Sequence, residues 1–553
     1  MVPVLDLMMY DVTETRMGDD EIWKGLVEWL SKAGGYAHPD LALVENKGTL
    51  CRGVFAKKDI PKGELLIRLP PTCIISAKKK SQEATRKEQP KPTPSCQIPP
   101  PSPWLRCLGQ YYKAFSESSS GDRSSTYDYF EPYLRSLPTV YETLWDWTDQ
   151  QVNDYLAGTT LGETIKFDRN DNSLSKRYQD RVRPFLSSQN LLPSEWSQSA
   201  TCQAEELEFF KKACCCMSTR SFNMETPIES PDSKSTAVRS DEPCNGPFLL
   251  PVVDLLNHDT ENRCTTLQWS SQEGIFFMIA ERSIAADCEI LHSYGDSLTS
   301  GQLLQTFGFV PDKHIKDAIE LPDPNVFSPC CTYPSLSKTK DILPACEKVA
   351  KSIYVEELRA LMLSKKMDDE SWDVSSLPAR DLSNIPEQIM IISEHGRLTV
   401  PEELITLVVC QLLPEEAYDA VKSDKDLLMD ISILDDYFLG NLFCRVVLEI
   451  VKRKSERYNS EDLKFDSQKN DNLLSAVTST LKSVHQSQGS SLDSLRQKWG
   501  TVIKAQELQV LEVLRKQVLD LVACLENGLS IDNSSFGHHD DASRSATKRQ
   551  RTL

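Results

Sequence analysis

The segment Phe248-Leu249-Leu250-Pro251-Val252-Val253-Asp254-Leu255-Leu256-Asn257-His258 decides how this chain is read. An apolar run leads into an aspartate, two leucines and then an asparagine-histidine pair. Packing alone asks for no such polar ending, so Asp254, Asn257 and His258 are candidates for chemistry. Two other places also hold polar residues or glycine where a sheet does not require them. One is His292-Ser293-Tyr294-Gly295, with Thr306-Phe307-Gly308-Phe309 starting twelve residues after the tyrosine. The other is Leu50-Cys51-Arg52-Gly53-Val54, a glycine-bearing turn that leads into the first strand-like run. Taken singly, each has an ordinary explanation: a turn at a strand end, the close of a strand, a surface bend.

Around these places the pattern is that of a small sheet interrupted in sequence. TTLQW (265–269), GIFFMIA (274–280) and EILHSY (289–294) read as closely spaced strands. CRGVFA (51–56), ELLIRL (64–69) and TCIIS (72–76) read the same way, punctuated by Pro61, Gly63 and Pro70-Pro71. Between the two groups the pattern is helical, with stretches at about 139–158 and 203–215. A single small sheet split by a helical insertion is the natural inference. Ahead of it, residues 20–33 form an amphipathic helix, capped by Asp19 or Asp20 and ended by Gly34-Gly35. Its Trp23, Leu26, Val27 and Leu30 share one face.

After about residue 320 the chain reads as almost entirely helical, with candidates at 401–421, 434–454 and 489–526. In the last, Leu495, Trp499, Ile503, Leu511, Leu514, Val518, Leu521 and Leu525 keep helical spacing. That stripe faces a bundle core or, alternatively, a coiled-coil dimer seam. The expected fold class is α+β: a small β-rich core split by a helical insertion, then an all-α carboxy-terminal domain. The layout is a flexible 1–19, a core over 20–315 with its helical insert at about 104–215, a helical domain over 320–526 and a loose tail from 527 to 553. Lys-, Gln- and Pro-rich residues 77–103 and the polar stretch 226–247 are solvated insertions within the core.

At 553 residues the chain exceeds one ordinary core. Its 17 cysteines include no CxxC pair, and the contiguous Cys214-Cys215-Cys216 cannot aim three thiols at one ion, so no metal site is expected. Reduced, mostly buried thiols in a cytoplasmic or nuclear protein are the plain reading. With 62 basic and 81 acidic residues the net charge is −19, which disfavours nucleic acid and suits basic protein partners. No apolar run approaches the roughly 18 residues of a membrane span, so no membrane partner is expected. The acidic amino terminus fits neither a signal nor a transit peptide. Lys548-Arg549-Gln550-Arg551 is either a charged tail or an import signal. A monomer is the expected state.

Taken in order along the chain, RGVF, DLLNH, the Tyr-Gly pair and the FGF triplet resemble the SET-domain methyltransferases. The branch is the one that holds the Rubisco large-subunit and ribosomal-protein lysine methyltransferases and the actin histidine methyltransferase. Phe130-Glu131-Pro132-Tyr133-Leu134 with Leu137-Pro138, and Thr219-Arg220-Ser221-Phe222, add to the likeness. PPPSPWL (99–105), FEPYLRSLP and DLLNH together are most similar to the SET-domain-containing protein four branch. The likeness covers roughly residues 20–315. The helical remainder resembles the family's substrate-binding domain in pattern.

The resemblance implies S-adenosyl-L-methionine as cofactor and a protein lysine as methyl acceptor. It implies that the Asn-His and Tyr-Gly segments lie side by side in a knot-like crossing. Asn257 and His258 then contact the cofactor, and the Leu50-Cys51-Arg52 turn reaches it through its backbone. Arg220 and Asp254 line the cofactor and substrate clefts, Tyr294 is the catalytic tyrosine, and Phe307 is an aromatic wall beside the transfer channel. Ribosomal proteins are the leading substrate class and histones the second. A histidine acceptor, or a catalytically silent binding module of the same fold, are the alternatives. Cys51 stands where the family usually has glycine, and Phe307 where tyrosine is frequent. The missing hydroxyl widens the channel and permits more than one methylation, on this reading.

Overall fold

The computed structural model describes residues 19–46, 51–77, 101–115, 125–138, 141–170, 174–192, 200–224, 246–270, 274–296, 298–314, 334–353, 388–394, 397–399, 401–412, 437–458 and 492–526. The expected flexible ends lie outside these residues except for Asp19, which opens a helix, and so do nearly all of the two expected solvated insertions. Two compact units make up the chain. The first holds residues 1–146, 168–296 and 306–308; the second holds 147–167, 297–305 and 309–553.

The first unit opens with α1 (Asp19–Lys32), whose first turn carries Asp19, Asp20 and Glu21 and whose last carries Lys32. Both placements complement the helix dipole. Trp23, Leu26, Trp29 and Leu30 form its buried face. Then come β1 (Tyr36–Ala37), β2 (Leu41–Asn46), β3 (Cys51–Ala56), β4 (Leu65–Leu69) and β5 (Ile75–Ser76). Helices α2 (Pro103–Phe115), α3 (Ser125–Ser136) and α4 (Ala200–Arg220) are the longest of the helical insertion. The chain continues through β6 (Ser221–Phe222), β7 (Phe248–Leu249), β8 (Asn257–His258), β9 (Thr265–Ser270), β10 (Ile275–Ala280) and β11 (Leu291–His292). Helix α5 (Ser300–Phe307) straddles the division, with Ser300–Gln305 counted in the second unit and Phe307, at its end, in the first.

The interrupted sheet is real: β4 pairs antiparallel with β10, some two hundred residues later, in the order β1-β4-β10-β9. It is not the one sheet expected from sequence. β2 and β3 make a separate antiparallel pair from Leu41↔Ala56 to Asn46↔Cys51, and β5, β7 and β6 make a three-stranded sheet in that order. Strands of two residues are too short for alternation to reveal them. TCIIS is a 3₁₀ turn at Pro71–Cys73 followed by β5, because the proline pair presets a turn, and EILHSY is strand only at Leu291–His292. The 139–158 pattern yields a regular helix only at Asp149–Tyr155, beyond a 3₁₀ turn at Leu144–Asp146. A shared core joins sheet to insertion, with Leu30, Val54, Leu66, Met278, Tyr111, Phe210 and Leu256 all buried in one cluster.

The second unit holds β12 (Ser335–Ser337), α6 (Leu343–Ile353), β13 (Gln388–Met390), β14 (Ile392–Glu394), β15 (Arg397–Thr399), α7 (Glu402–Leu412), α8 (Tyr437–Glu456) and α9 (Leu492–Glu526). It is therefore not all-α. β12 pairs with β13 and β14 with β15, three residues each, and the first pair joins segments about fifty residues apart. α9 packs on α8 and is buried on every side from Trp499 to Leu511. A helix enclosed all round belongs to a core, which favours the bundle reading of its leucine stripe over the dimer seam. Its Glu507 accepts from the Thr160 amide at 3.0 and 3.1 Å and from the Tyr458 hydroxyl at 2.5 Å, so this buried carboxylate is paired.

Candidate functional site

The 248–258 segment folds as strand, turn, strand. After β7, the Asp254 amide bonds to the Leu250 carbonyl at 3.0 Å and a 3₁₀ turn spans Val253–Leu255. Leu256 returns to extended backbone, and Asn257-His258 form β8. β8 pairs in parallel with β11, Asn257 beside Leu291 and His258 beside His292. A parallel pair between strands this short sets the asparagine-histidine and tyrosine-glycine segments side by side.

Tyr294 follows β11 and is held at both ends. Its amide donates to His258 Nδ1 at 3.0 Å, and its hydroxyl donates to the Leu256 carbonyl at 2.8 Å. The first bond fixes the neutral His258 tautomer: Nδ1 accepts, so the proton sits on Nε2, which lies 3.4 Å from Thr260 Oγ1. The Tyr294 ring lies 5.1 Å from the His258 ring and 4.7 Å from the Phe307 ring, centroid to centroid. Burial lowers the pKa of both histidines here, that of His292 to about 4. Both rings are therefore neutral at pH 7.

A second group forms around Asn257. Its Nδ2 donates to the Arg52 carbonyl at 3.1 Å and to Glu289 Oε1 at 2.6 Å. Arg52 Nη2 in turn donates to the Ser136 carbonyl at 2.8 Å, and Ser136 Oγ to the Tyr133 carbonyl at 2.7 Å. A third group surrounds Asp254. Tyr133 Oη donates to Asp254 Oδ2 at 2.8 Å, and Arg220 Nη1 donates to the Asp254 backbone carbonyl. Asp254 Oδ1 and Arg220 Nε, both buried, have no hydrogen-bond partner among the described residues. Desolvation pushes the Asp254 carboxyl up to about 6 against the opposing pull of Arg220 and the Tyr133 hydrogen bond.

Of the residues singled out from sequence, Tyr294, His258 and Phe307 come together, Asn257 joins Arg52, and Arg220 joins Asp254. Cys51 is the first residue of β3, opposite Asn46, rather than part of a turn before it, and β3 is the third strand rather than the first. Leu50 lies outside the described residues. Three contributors escaped the sequence reading: Glu289, Tyr133 and Ser136. Tyr133 and Ser136 stood within the quoted FEPYLRSLP stretch. Glu289 opens the EILHSY run, which reads as strand, and its only signal in sequence is a carboxylate beside apolar neighbours. The cysteine triple lies on α4, with the Cys215 and Cys216 thiols buried and pushed up to about 11, so neither is a reactive nucleophile.

Comparison with known proteins agrees with this geometry. The family model of the SET domain matches residues 51–295. The N-lysine methyltransferase setd6 of Xenopus laevis is 25% identical over 300 residues, covering 53% of this chain and 58% of that protein. The Salmo salar protein of the same name is 24% identical over 289 residues, covering 51% and 57%. The chain thus spans a little over half the length of these two curated relatives. Among solved structures, Rubisco LSMT bound to AdoMet superposes with a TM-score of 0.54 at 16% identity, over 96% of this chain and 99% of that one. The SET domain of LSMT bound to MeLysine and AdoHcy gives 0.55 at 15% identity, over 97% and 100%. The fold that brings Tyr294, His258 and Asn257 together is the SET fold.

Proposed function

We propose that this chain is an S-adenosyl-L-methionine-dependent protein-lysine N-methyltransferase. The observation that carries the reading is Tyr294: a hydroxyl anchored to the Leu256 carbonyl, against the His258 and Phe307 rings, at a parallel crossing of two strands. The N-lysine methyltransferase relatives and the ligands of the solved neighbours support the same activity and the same cofactor. Within the family, PPPSPWL, FEPYLRSLP and DLLNH favour the SET-domain-containing protein four branch.

The residues present suit a cationic cofactor. His258 and His292 are held neutral by burial, so neither repels a sulfonium. The Arg52 and Leu256 carbonyls and the Asn257 amide offer oxygen dipoles, and Tyr294 and Phe307 offer aromatic faces. Asn257, His258 and the backbone of the Cys51-Arg52 strand start would hold the cofactor, and Arg220 and Asp254 would hold the segment beside it. When bound, the cofactor supplies an electrophilic methyl group.

The chain's own part is to align and desolvate the amine. A lysine ε-amine is mostly protonated at pH 7 and must lose a proton before its lone pair can attack. Desolvation beside Tyr294 and Phe307 lowers its pKa and favours the neutral form. The Tyr294 hydroxyl has one proton, given to the Leu256 carbonyl, so toward an amine it acts as an acceptor. Accepting an amine N–H orients the nitrogen lone pair for in-line transfer, and such alignment is worth several kcal/mol.

The substrate is a basic protein, with ribosomal proteins ahead of histones; the net charge of −19 suits either. Incubating the protein with labelled S-adenosylmethionine and extract from cells that lack it, then identifying the labelled band and residue by mass spectrometry, tests this reading. A methylated lysine on a ribosomal protein is the expected result. A methylated histidine would replace the acceptor, and a labelled histone would replace the substrate class.

A further inference from the structure

The Asn257 amide has only one sensible orientation here. Its nitrogen faces two acceptors, the Arg52 carbonyl at 3.1 Å and Glu289 Oε1 at 2.6 Å. Rotated by half a turn, its oxygen would oppose both and lose two hydrogen bonds. Both amide hydrogens are thus used inside the protein, and the group left to a ligand is the oxygen, an acceptor only.

Glu289 is held by its surroundings. The Cys288 carbonyl accepts from the Ala56 amide at 2.9 Å, and the Ile290 amide donates to the Val54 carbonyl at 2.7 Å, clamping this segment along β3. Its carboxylate occupies the space that Gly53 leaves open: a Cβ on residue 53 would lie 2.3 Å from Glu289 Oε1 and 3.1 Å from Asn257 Nδ2. Glycine at 53, glutamate at 289 and asparagine at 257 form one unit drawn from three separate segments.

We propose that Glu289 is a positioning residue that fixes the polarity of Asn257, so that the cofactor must present an N–H donor to the Asn257 oxygen. This rests on the proposed cofactor site. S-adenosylmethionine carries two groups of that chemistry, the ammonium of its amino-acid part and the adenine 6-amino group. Glu289 itself touches neither in this scheme; it acts through Asn257.

The test is calorimetric binding of S-adenosylhomocysteine and two analogues to the full chain, one lacking the ammonium and one with hypoxanthine in place of adenine. Wild type is expected to discriminate against one analogue by tenfold or more. Glu289→Ala should weaken S-adenosylhomocysteine binding by about tenfold, the worth of a charged hydrogen bond, and should collapse that discrimination at least fivefold. Glu289→Gln, which keeps an acceptor oxygen, should restore both to within about threefold. Gly53→Ala, which displaces the carboxylate without changing it, should imitate Glu289→Ala and serves as the second variant if that one fails to fold. The analogue that wild type rejects identifies the donor. Wild-type binding with affinity and discrimination unmoved in Glu289→Ala and Gly53→Ala would overturn the inference alone. Absence of any binding by wild type would overturn the cofactor reading and the inference with it.

Discussion

At the scale of single residues, two side chains divide the proposed chemistry between rate and product. On the proposed function, Tyr294 supplies the acceptor that orients the amine. Phe307, 4.7 Å from it between ring centroids, bounds the same space without a polar atom. Phe307→Tyr adds a hydroxyl that can hold an amine N–H and take up room, and is expected to shift products from di- and trimethyllysine toward monomethyllysine. Mass spectrometry of the product distribution reads this, and identical distributions would remove Phe307 from the role. His292 carries a different consequence. Its folded pKa lies near 4, below the usual value for histidine, so the unfolded chain binds the proton first as pH falls. The stability it contributes is present above about pH 6.5 and is lost as pH falls toward 4. Between pH 7.5 and 5 this amounts to up to about 2 kcal/mol. Asp254 acts in the opposite sense, because a carboxyl raised to about 6 is most favourable when protonated. Denaturant titrations at the two pH values should therefore show a smaller acid loss for His292→Gln than for wild type; equal losses would contradict the assignment.

At the scale of elements, the structure rests on close approaches that only some sequences allow. Gly308 ends α5 with φ of +81°, and a Cβ there would sit 1.7 Å from the Glu142 carbonyl oxygen. Gly308→Ala is expected to cost about 2–4 kcal/mol by thermal or chemical melting, and a loss below about 0.5 kcal/mol would show that the turn relaxes freely. The legibility of the sequence follows element length. CRGVFA, TTLQW and GIFFMIA show clear strand character, and they form β3, β9 and β10. β8 and β11 have two residues each, and neither shows any period; the site was found through the residue types at 254–258 and 292–295 instead. The strands after residue 334 were missed for the same reason, and because β12 and β13 pair across a long separation that no local pattern can encode. Tyr133 and Glu289 escaped for yet another reason. Their partners, Asp254 and Asn257, are distant in sequence, so only the fold reveals what each one holds.

At the scale of the whole molecule, the net charge of −19 bears on how the proposed protein substrate is met. A chain of net charge −19 draws basic proteins by long-range attraction, and salt screens that attraction. Raising ionic strength from about 50 to 500 mM, across which the Debye length falls severalfold, should raise KM for a basic protein substrate severalfold and leave kcat nearly unchanged. A salt-insensitive KM would mean that encounter does not depend on this charge. Tyr294 is proposed to orient a lysine amine for methyl transfer in a SET fold. The most direct test pairs S-adenosylhomocysteine binding with methyl transfer to protein lysine for wild type and Tyr294→Phe. The expected result is binding within about threefold of wild type, with transfer lower by about 10²–10³-fold, the usual worth of a well-placed catalytic polar group. Unchanged transfer by Tyr294→Phe, or no transfer by wild type, would contradict it.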